Sequence, residues 1–514
     1  MLPQLDIIYN HAGDQLKEGV ARKLATSSYG PRPAIEMEIP KSARLATKSL
    51  SAIGPSYFRP GSVLLPEDRV LYHFFGQEAA AKYEKFIDRS KVFSNKPLTK
   101  KGAGFAAPSL QWSSLKTSFE EKNKSSKYTI VLKCDIAQYF FSINQHEAIN
   151  QLEHYGLEPE LVRLGERFLA GLTMDRSSRG IVQGCYGSDV IGNGYLSAID
   201  EYIEDAGFIH FRYVDDMYIL FENSESMREF FPGFVKRLRE YDLALNESKT
   251  FISLPSKLLR EETELDKAIA KAKKEAVENL TTYEEIEVDS GAYDGESYIE
   301  ILEMAPDESE VELHATIEIF DKLDDFKGEE RDRAEAFCLS IFRRASDPRA
   351  IPYVIARWSR HQDKARDFAL YLNRFVTDEK HRSLIDKALL DASSQMIDFQ
   401  WAWAAMLMRR MKKMSPELLG VAQNIQKDGS RHEVIRSLLT YTVCRHGTAP
   451  AKKVVRDAYP SSPLLVQLAI LHSSEFFTAG ERAALLKTAE AHGDLQALLC
   501  QALKAQKAAS AAKS

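Results

Sequence analysis

The first half of the chain mixes short β-branched and aromatic runs with stretches of helical periodicity, and the second half keeps only the helical period. YTIVLKC (128 to 134) reads as a buried strand, and FIHFRYVDDMYILFEN (208 to 223) reads as strand, tight turn and strand, with Asp215 and Asp216 at the hairpin tip. From about residue 310 onward apolar residues recur at helical spacing in successive blocks, among them Ala334 to Phe342, Ile351 to Trp358, Trp401 to Met408, Val434 to Cys444 and Leu464 to Leu471. Turn signals such as Asp347-Pro348, Gly447, Pro460 and Gly480 separate them. The expected architecture is an α+β domain over residues 1 to 255, a charged connector over 256 to 309 and an all-α, HEAT-like helical-repeat domain over 310 to 514. An irregular helical bundle is the alternative for that last part, because no strict repeat period is visible. Within the connector, a solvated amphipathic helix should precede short strands around a Gly/Asp turn.

At 514 residues the chain holds about three domains at roughly 150 residues each. Hydrophobic residues at 44% and charged residues at 28% are ordinary for a soluble globular protein and exclude a mostly disordered one. The net charge of −6 does not argue against nucleic acid, since binding depends on where cations cluster. No apolar run approaches the roughly 18 to 20 residues of a membrane span. Met1 to Asn10 lacks the pattern of a signal peptide, so a cytoplasmic location is expected. Five scattered cysteines without a CxxC fit reduced core thiols rather than a disulfide framework or a zinc site.

Adjacent carboxylates in an apolar hairpin repel, and a divalent cation is the natural compensation. An Asp pair is also what turn propensity alone supplies, so the hairpin needs company. Asp135, 80 positions before Asp215, ends the strand YTIVLKC and is followed by Tyr139, Phe140 and Phe141. Between the acids, GIVQGCYGSD (180 to 189) places Gly180, Gly184 and Gly187 where backbone can approach a bulky ligand closely, and a helix follows with Asn193. LALNESKTFI (243 to 252) places Lys249 after a turn.

Together these segments resemble the ordered palm motifs of reverse transcriptases: Asp-Ile-x-x-aromatic-Phe at Asp135, Gln183-Gly184, Tyr213-Val-Asp-Asp216 and Leu245-Asn-x-x-Lys249-Thr250. The resemblance covers about residues 40 to 255, and VFSNKP (92 to 97) is similar to a fingers motif. It implies that Asp135, Asp215 and Asp216 are catalytic, with two Mg²⁺ held by Asp135, the Ile136 carbonyl, Asp215 and Asp216. It also implies dNTPs as substrates, with Phe140 as a sugar gate against a 2′-hydroxyl, Gln183 and Gly184 at the incoming nucleotide, and Lys249 at the pyrophosphate. Lys96 stands where the family has a fingers Arg, keeping charge but losing the bidentate fork, and Arg69 is a second triphosphate candidate.

The chain departs from ordinary reverse transcriptases in lacking a clear primer grip, thumb helices of the usual length, a ribonuclease H acid cluster and an integrase segment. Fingers and palm joined to an α-repeat half are similar to bacterial abortive-infection polymerases and related defence-associated reverse transcriptases. That similarity implies antiphage defence, with untemplated DNA synthesis primed by a protein tyrosine, a single-stranded DNA product attached to the chain, and a homo-oligomer. Tyr9, Tyr29 and Tyr57 are the N-terminal priming candidates. Trp401, Trp403 and Met406 belong either to an interface or to the core of one solenoid. Two other readings remain: templated copying of a partner non-coding RNA, and an inactive phage-sensing scaffold. The retention of all three acids counts against the scaffold.

Overall fold

The computed structural model describes residues 2–45, 54–98, 104–124, 127–173, 178–258, 264–280, 282–289, 297–304 and 307–511. The chain divides into two compact units. One, the mixed unit, comprises Leu2–Glu38, Arg59–Glu261 and Gly480–Ser514; the other, the helical unit, comprises Ile39–Phe58 and Glu262–Ala479.

In chain order, helices α1 (Pro3–His11) and α2 (Gly13–Ala25) are followed by strands β1 (Ile35–Arg44) and β2 (Ser56–Val63), which pair as a two-stranded sheet. Helix α3 (Pro66–Tyr83) starts with a proline and carries Glu67 and Asp68 in its first turn, the residue types that suit a helix N-terminus. Helix α4 (Pro108–Asn123) precedes β3 (Ile130–Cys134), and after it come the short α5 (Tyr139–Ser142), α6 (Gln145–His154) and α7 (Pro159–Leu172). Helices α8 (Tyr186–Tyr195) and α9 (Ser197–Asp205) lead into the hairpin of β4 (Ile209–Tyr213) and β5 (Asp216–Phe221). Helix α10 (Ser224–Glu240), N-capped by Asn223 accepting from the Ser226 N–H, is followed by β6 (Phe251–Ser253).

β4, β5, β3 and β6 form one antiparallel sheet in that order, with Cys134 opposite Met217 and Tyr213 opposite Asp216. Both faces of its central strands are buried. Val131, Phe211, Tyr218 and Leu220 pack with Leu115 and Phe119 of α4. On the other face Phe221 meets Phe208 and Phe230 of α10 at ring distances of 4.7 to 5.6 Å around the group. This apolar sandwich holds the strand ends that carry Asp135 and Asp215-Asp216 side by side.

Helix α3 crosses α8 at a very close approach. A Cβ on Gly76 would stand 2.7 Å from the Cα of Gly187, and one on Gly187 would stand 2.7 Å from the Tyr72 ring. Gly187 therefore serves helix packing, besides lining a cavity with Gly184.

The compact units divide the chain differently from the expected domains. Helix Asp494–Ala511 was expected within the helical-repeat domain, yet it belongs to the mixed unit and packs on α1. Its Leu495, Leu499, Ala502 and Leu503 are buried, and Asp494 pairs with Lys23 at 2.7 Å. An apolar stripe of i, i+4 spacing says that a helix packs, not which neighbour it packs on. The amphipathic helix expected in the connector is present as Glu264–Leu280, which buries Leu265, Ala272 and Ala276 and packs on Glu308–Asp321 inside the helical unit. Strands β7 (Thr282–Asp289) and β8 (Ser297–Met304) pair antiparallel; the Gly/Asp turn between them lies outside the described residues.

From Glu308 to Ala511 the described residues form α-helices and short 3-10 turns, and Trp401 is core at 1% exposure whereas Trp403 and Met406 are half-buried. Among the described residues no helix is long and apolar enough to cross a membrane.

Replacing Gly76 with alanine should destabilise the mixed unit by about 1–3 kcal/mol, because the clash is with backbone that cannot rotate away. Urea unfolding of Gly76→Ala against the parent chain measures it, and an unchanged midpoint would contradict the packing.

Candidate active site

Asp135 leaves the sheet one residue after β3, beside the turn that carries Asp215 and Asp216 at the start of β5. The segment 244 to 250 wraps it. Asn246 donates from Nδ2 to Asp135 Oδ2 at 2.8 Å, and its backbone N–H donates to the Asp135 carbonyl at 2.7 Å. The Thr250 hydroxyl accepts from the Asp135 N–H at 3.4 Å, and Lys249 Nζ lies 3.6 Å from Asp135 Oδ1. Ile136 bridges Leu245, but the flanking pairs carry the hydrogen bonds, with the Ala137 N–H donating to the Ala244 carbonyl at 2.8 Å. That register turns the Ile136 carbonyl away from residues 244 to 246.

Asp215 is pushed up to about 6, first by burial and then by the negative charges of Asp216 and Asp135, with Lys249 pulling the other way. Asp216 has one buried oxygen without a hydrogen-bond partner among the described residues; Lys133 stands 3.3 Å from it outside hydrogen-bonding geometry. A half-buried carboxylate that resists ionisation beside two others is what a bound divalent cation relieves, so the residues fit one. Among the described residues no group of three or more His, Cys, Asp or Glu side chains is arranged to hold a metal, so Asp135 and Asp215 would need backbone or substrate oxygens to complete a shell.

Strain gathers at the same place. Val214, Gln138 and Asn95 have φ of 57°, 49° and 51°. For a β-branched residue such as Val214 that region costs about 1–3 kcal/mol, and it is held only because its surroundings over-determine it.

The other expected site residues divide into separate places. Phe140 is half-buried against the chain around Gly192, where a Cβ would meet its ring at 3.2 Å, and its carbonyl accepts from Ile181 at 2.9 Å. That pairing sets Phe140 beside the strand-like run leading to Gln183 and Gly184. Gly184, with φ of +85°, occupies a conformation that side chains rarely adopt, and nothing lies within 4 Å of the position its Cβ would take.

Lys96 is exposed, with its backbone N–H donating to Gln111 Oε1 at 2.9 Å. Arg69 instead lines a cavity of about 790 Å³ with Tyr9, Tyr72, Gly184 and Cys185. In that cavity the Tyr9 hydroxyl has no hydrogen-bond partner among the described residues, and burial pushes it up to about 12. Tyr29 donates to Asp68 at 2.5 Å, and burial together with that carboxylate raises its ionisation well above the usual range. Tyr57 lies in the helical unit and is 52% exposed.

Sequence reasoning missed Asn246 as the residue that orients Asp135, although it stands in the quoted LALNESKT phrase. It also missed Arg212, fully buried two residues before the turn and paired with Asp200 at 2.6 Å. A charged residue inside an otherwise apolar strand was the available signal.

A strand-end carboxylate beside a two-carboxylate hairpin turn on an antiparallel sheet is an arrangement that suits nucleotidyl transfer. Residues 77–285 match the family model for reverse transcriptase (RNA-dependent DNA polymerase), so this part of the chain is a reverse transcriptase domain.

Among solved structures the chain is similar to telomerase from Candida albicans in complex with a TWJ fragment of telomeric RNA, at 12% identity and a TM-score of 0.32, covering 72% of this chain and 63% of that one. It is also similar to apo telomerase from Candida tropicalis, at 11% identity and a TM-score of 0.31, covering 84% of this chain and 74% of that one. The chain thus spans less than two thirds of the length of the first of these. Comparison with curated proteins gives no match.

The Asp215 shift predicts a pH signature. Because its folded value is raised, the metal-free fold binds its proton more tightly than the unfolded chain, so this group's contribution to stability falls as pH rises from about 4 through about 6. Asp215→Asn should remove that loss. In chelator, the variant should match the parent near pH 4 and exceed it by ~1 to 3 kcal/mol above pH 7. Urea titrations at both pH values check this, and Mg²⁺ should stabilise the parent more than the variant.

Proposed function

We propose that the protein is a Mg²⁺-dependent DNA polymerase acting in bacterial antiphage defence, with synthesis that needs no template and starts on a tyrosine of the chain itself. The observation that carries the polymerase reading is the Asp135, Asp215 and Asp216 constellation, in which burial first and the two acidic neighbours after it hold Asp215 up to about 6. Asp135 and Asp215, with the Ile136 carbonyl, would hold two Mg²⁺ ions. Bound there, the metal would acidify an acceptor hydroxyl and stabilise the departing pyrophosphate. Asn246 orients Asp135, Lys133 offsets Asp216, and Lys249, 61% exposed beside Asp135, is free to turn toward a triphosphate. Phe140, held against residue 192, would present its ring to the sugar of the incoming nucleotide, and Gln183 and Gly184 would contact that nucleotide. Arg69 and Lys96 are further candidates for the triphosphate.

The defence role rests on the resemblance in the sequence, a reverse transcriptase domain followed by a helical half. Of the three tyrosines considered for priming, Tyr9 has the best chemistry: an unpartnered hydroxyl in a cavity shared with Arg69, whose charge favours the phenolate. Tyr29 is committed to Asp68. The second reading, templated copying of a partner non-coding RNA, is favoured by the match of residues 77–285 to RNA-dependent DNA polymerases.

Purified protein incubated with Mg²⁺ and labelled dNTPs, without primer or template, should yield label that stays with the polypeptide in denaturing gels and resists ribonuclease. Asp215→Asn should lower incorporation by at least ~10³-fold. Tyr9→Phe should abolish protein-linked label while sparing extension of a supplied primer. Label that requires intact co-purified RNA would establish the templated reading instead, and equal activity in Asp215→Asn would refute both.

A further inference from the structure

The catalytic turn is braced from behind by side chains that no catalytic role accounts for. We infer that Ser94, Asn193, Arg212 and Asp200 form a buried polar brace whose purpose is to fix the Val214-Asp215 turn, with Ser94 and Arg212 as positioning residues for nucleotidyl transfer. The inference rests on the polymerase reading of the site.

Both backbone groups of Val214, the residue in the strained conformation, are held by this brace. Its N–H donates to the Ser94 hydroxyl at 2.8 Å, and its carbonyl accepts from Arg212 Nη1 at 3.0 Å. Ser94 and Arg212 are each fully buried, and both converge on Asn193 Oδ1, which accepts from the Ser94 hydroxyl at 3.2 Å and from Arg212 Nη1 at 2.9 Å. Arg212 Nη2 donates to the Asn193 carbonyl at 3.1 Å and to Asp200 Oδ2 at 2.6 Å, and Nε donates to Asp200 Oδ1 at 2.8 Å. His210 Nε2 closes the group 3.1 Å from Asp200 Oδ1.

Every one of the five N–H donors of the guanidinium is used, and a lysine cannot reproduce that planar fork. The loop carrying Ser94 is itself pinned. The Phe93 N–H donates to the Arg212 carbonyl at 3.0 Å, the Arg212 N–H donates to the Lys91 carbonyl at 2.8 Å, and Arg89 donates to the Ser94 carbonyl at 2.8 Å.

A buried ion pair adds little stability over an apolar filling of the same volume, so stability alone gives no reason to build one here. What the brace supplies is direction. Val214 immediately precedes Asp215, so fixing both its peptide groups fixes the origin of the Asp215 side chain. A displacement of about 1 Å at a reacting centre is enough to lower a rate by about 10²-fold.

The test compares the parent chain with Ser94→Ala, Arg212→Lys and, as a control for lost stability, Leu499→Ala in the C-terminal helix, with incorporation read on a supplied primer so that the packing of that helix on α1 and Tyr9 does not enter. Two quantities are read on protein shown to be folded by circular dichroism: steady-state dNTP incorporation and Mn²⁺ affinity by electron paramagnetic resonance. Ser94→Ala should lower kcat by about 10-fold and Arg212→Lys by about 10²-fold, with the KM for dNTP within about 3-fold of the parent. Both variants should bind Mn²⁺ about 5-fold more weakly. Leu499→Ala should change neither quantity. The inference is overturned if folded Ser94→Ala and Arg212→Lys keep parental kcat and Mn²⁺ affinity, or if Leu499→Ala reproduces their losses. Should the parent chain fail to incorporate nucleotides at all, the polymerase reading fails by itself, and the Mn²⁺ affinities still decide whether the brace positions the carboxylates.

Discussion

Three carboxylates held at one end of an antiparallel sheet repel one another, and the rest of the mixed unit can be understood as what holds them there. Burial first, and then its two acidic neighbours, raise Asp215 to about 6. A flexible loop would relieve such a conflict by moving apart. Here β3 and β5 are paired residue by residue from Ile130 opposite Phe221 to Cys134 opposite Met217, so the acids cannot separate without breaking the sheet. The free energy for that confinement comes from the apolar layers on both sheet faces, where Val131, Phe211 and Ile219 are at most 2% exposed. A cation bound between the acids would relieve the destabilisation left over.

Around this conflict the unit is built in two polar shells of different character. In front, Asn246, Thr250 and Lys249 grip Asp135, and Lys133 stands near Asp216, all with some access to water. Behind, the Arg212 and Asp200 pair lies dry, with Arg212 at 0% and Asp200 at 7% exposure. The front shell is open to water, whereas the rear one has every donor of its arginine committed. That division suits a site in which the acids must stay fixed while the charges facing the nucleotide adjust.

The N-terminal helices add a second region near the glutamine-glycine turn. Tyr9, Arg69 and Gly184 share the wall of one cavity, and α1 is itself backed by the C-terminal helix. The two ends of the chain thus meet in one compact unit, although nearly all of the helical unit lies between them in sequence.

Much of this was legible in the amino-acid order because it depends on short-range physics. The β-branched and aromatic runs around residues 130 and 215 could only be buried strands, and their spacing placed an acid at each strand end. Helical periodicity likewise announced the second half. What the order of residues left undecided was every choice made between distant segments. Gly187 looked like room for a ligand and proved to be room for α3 as well; helix Asp494–Ala511 looked like the last of a series and proved to be the support of α1. Arg212 was visible only as a cation in an apolar strand until folding brought Ser94 and Asn193, 99 residues apart, against it. The physical reason is the same in each case. Periodicity states that a side chain will be buried, while the identity of its partner is settled by the packing of the whole unit, where a buried polar group must find its hydrogen bonds wherever the chain returns to supply them.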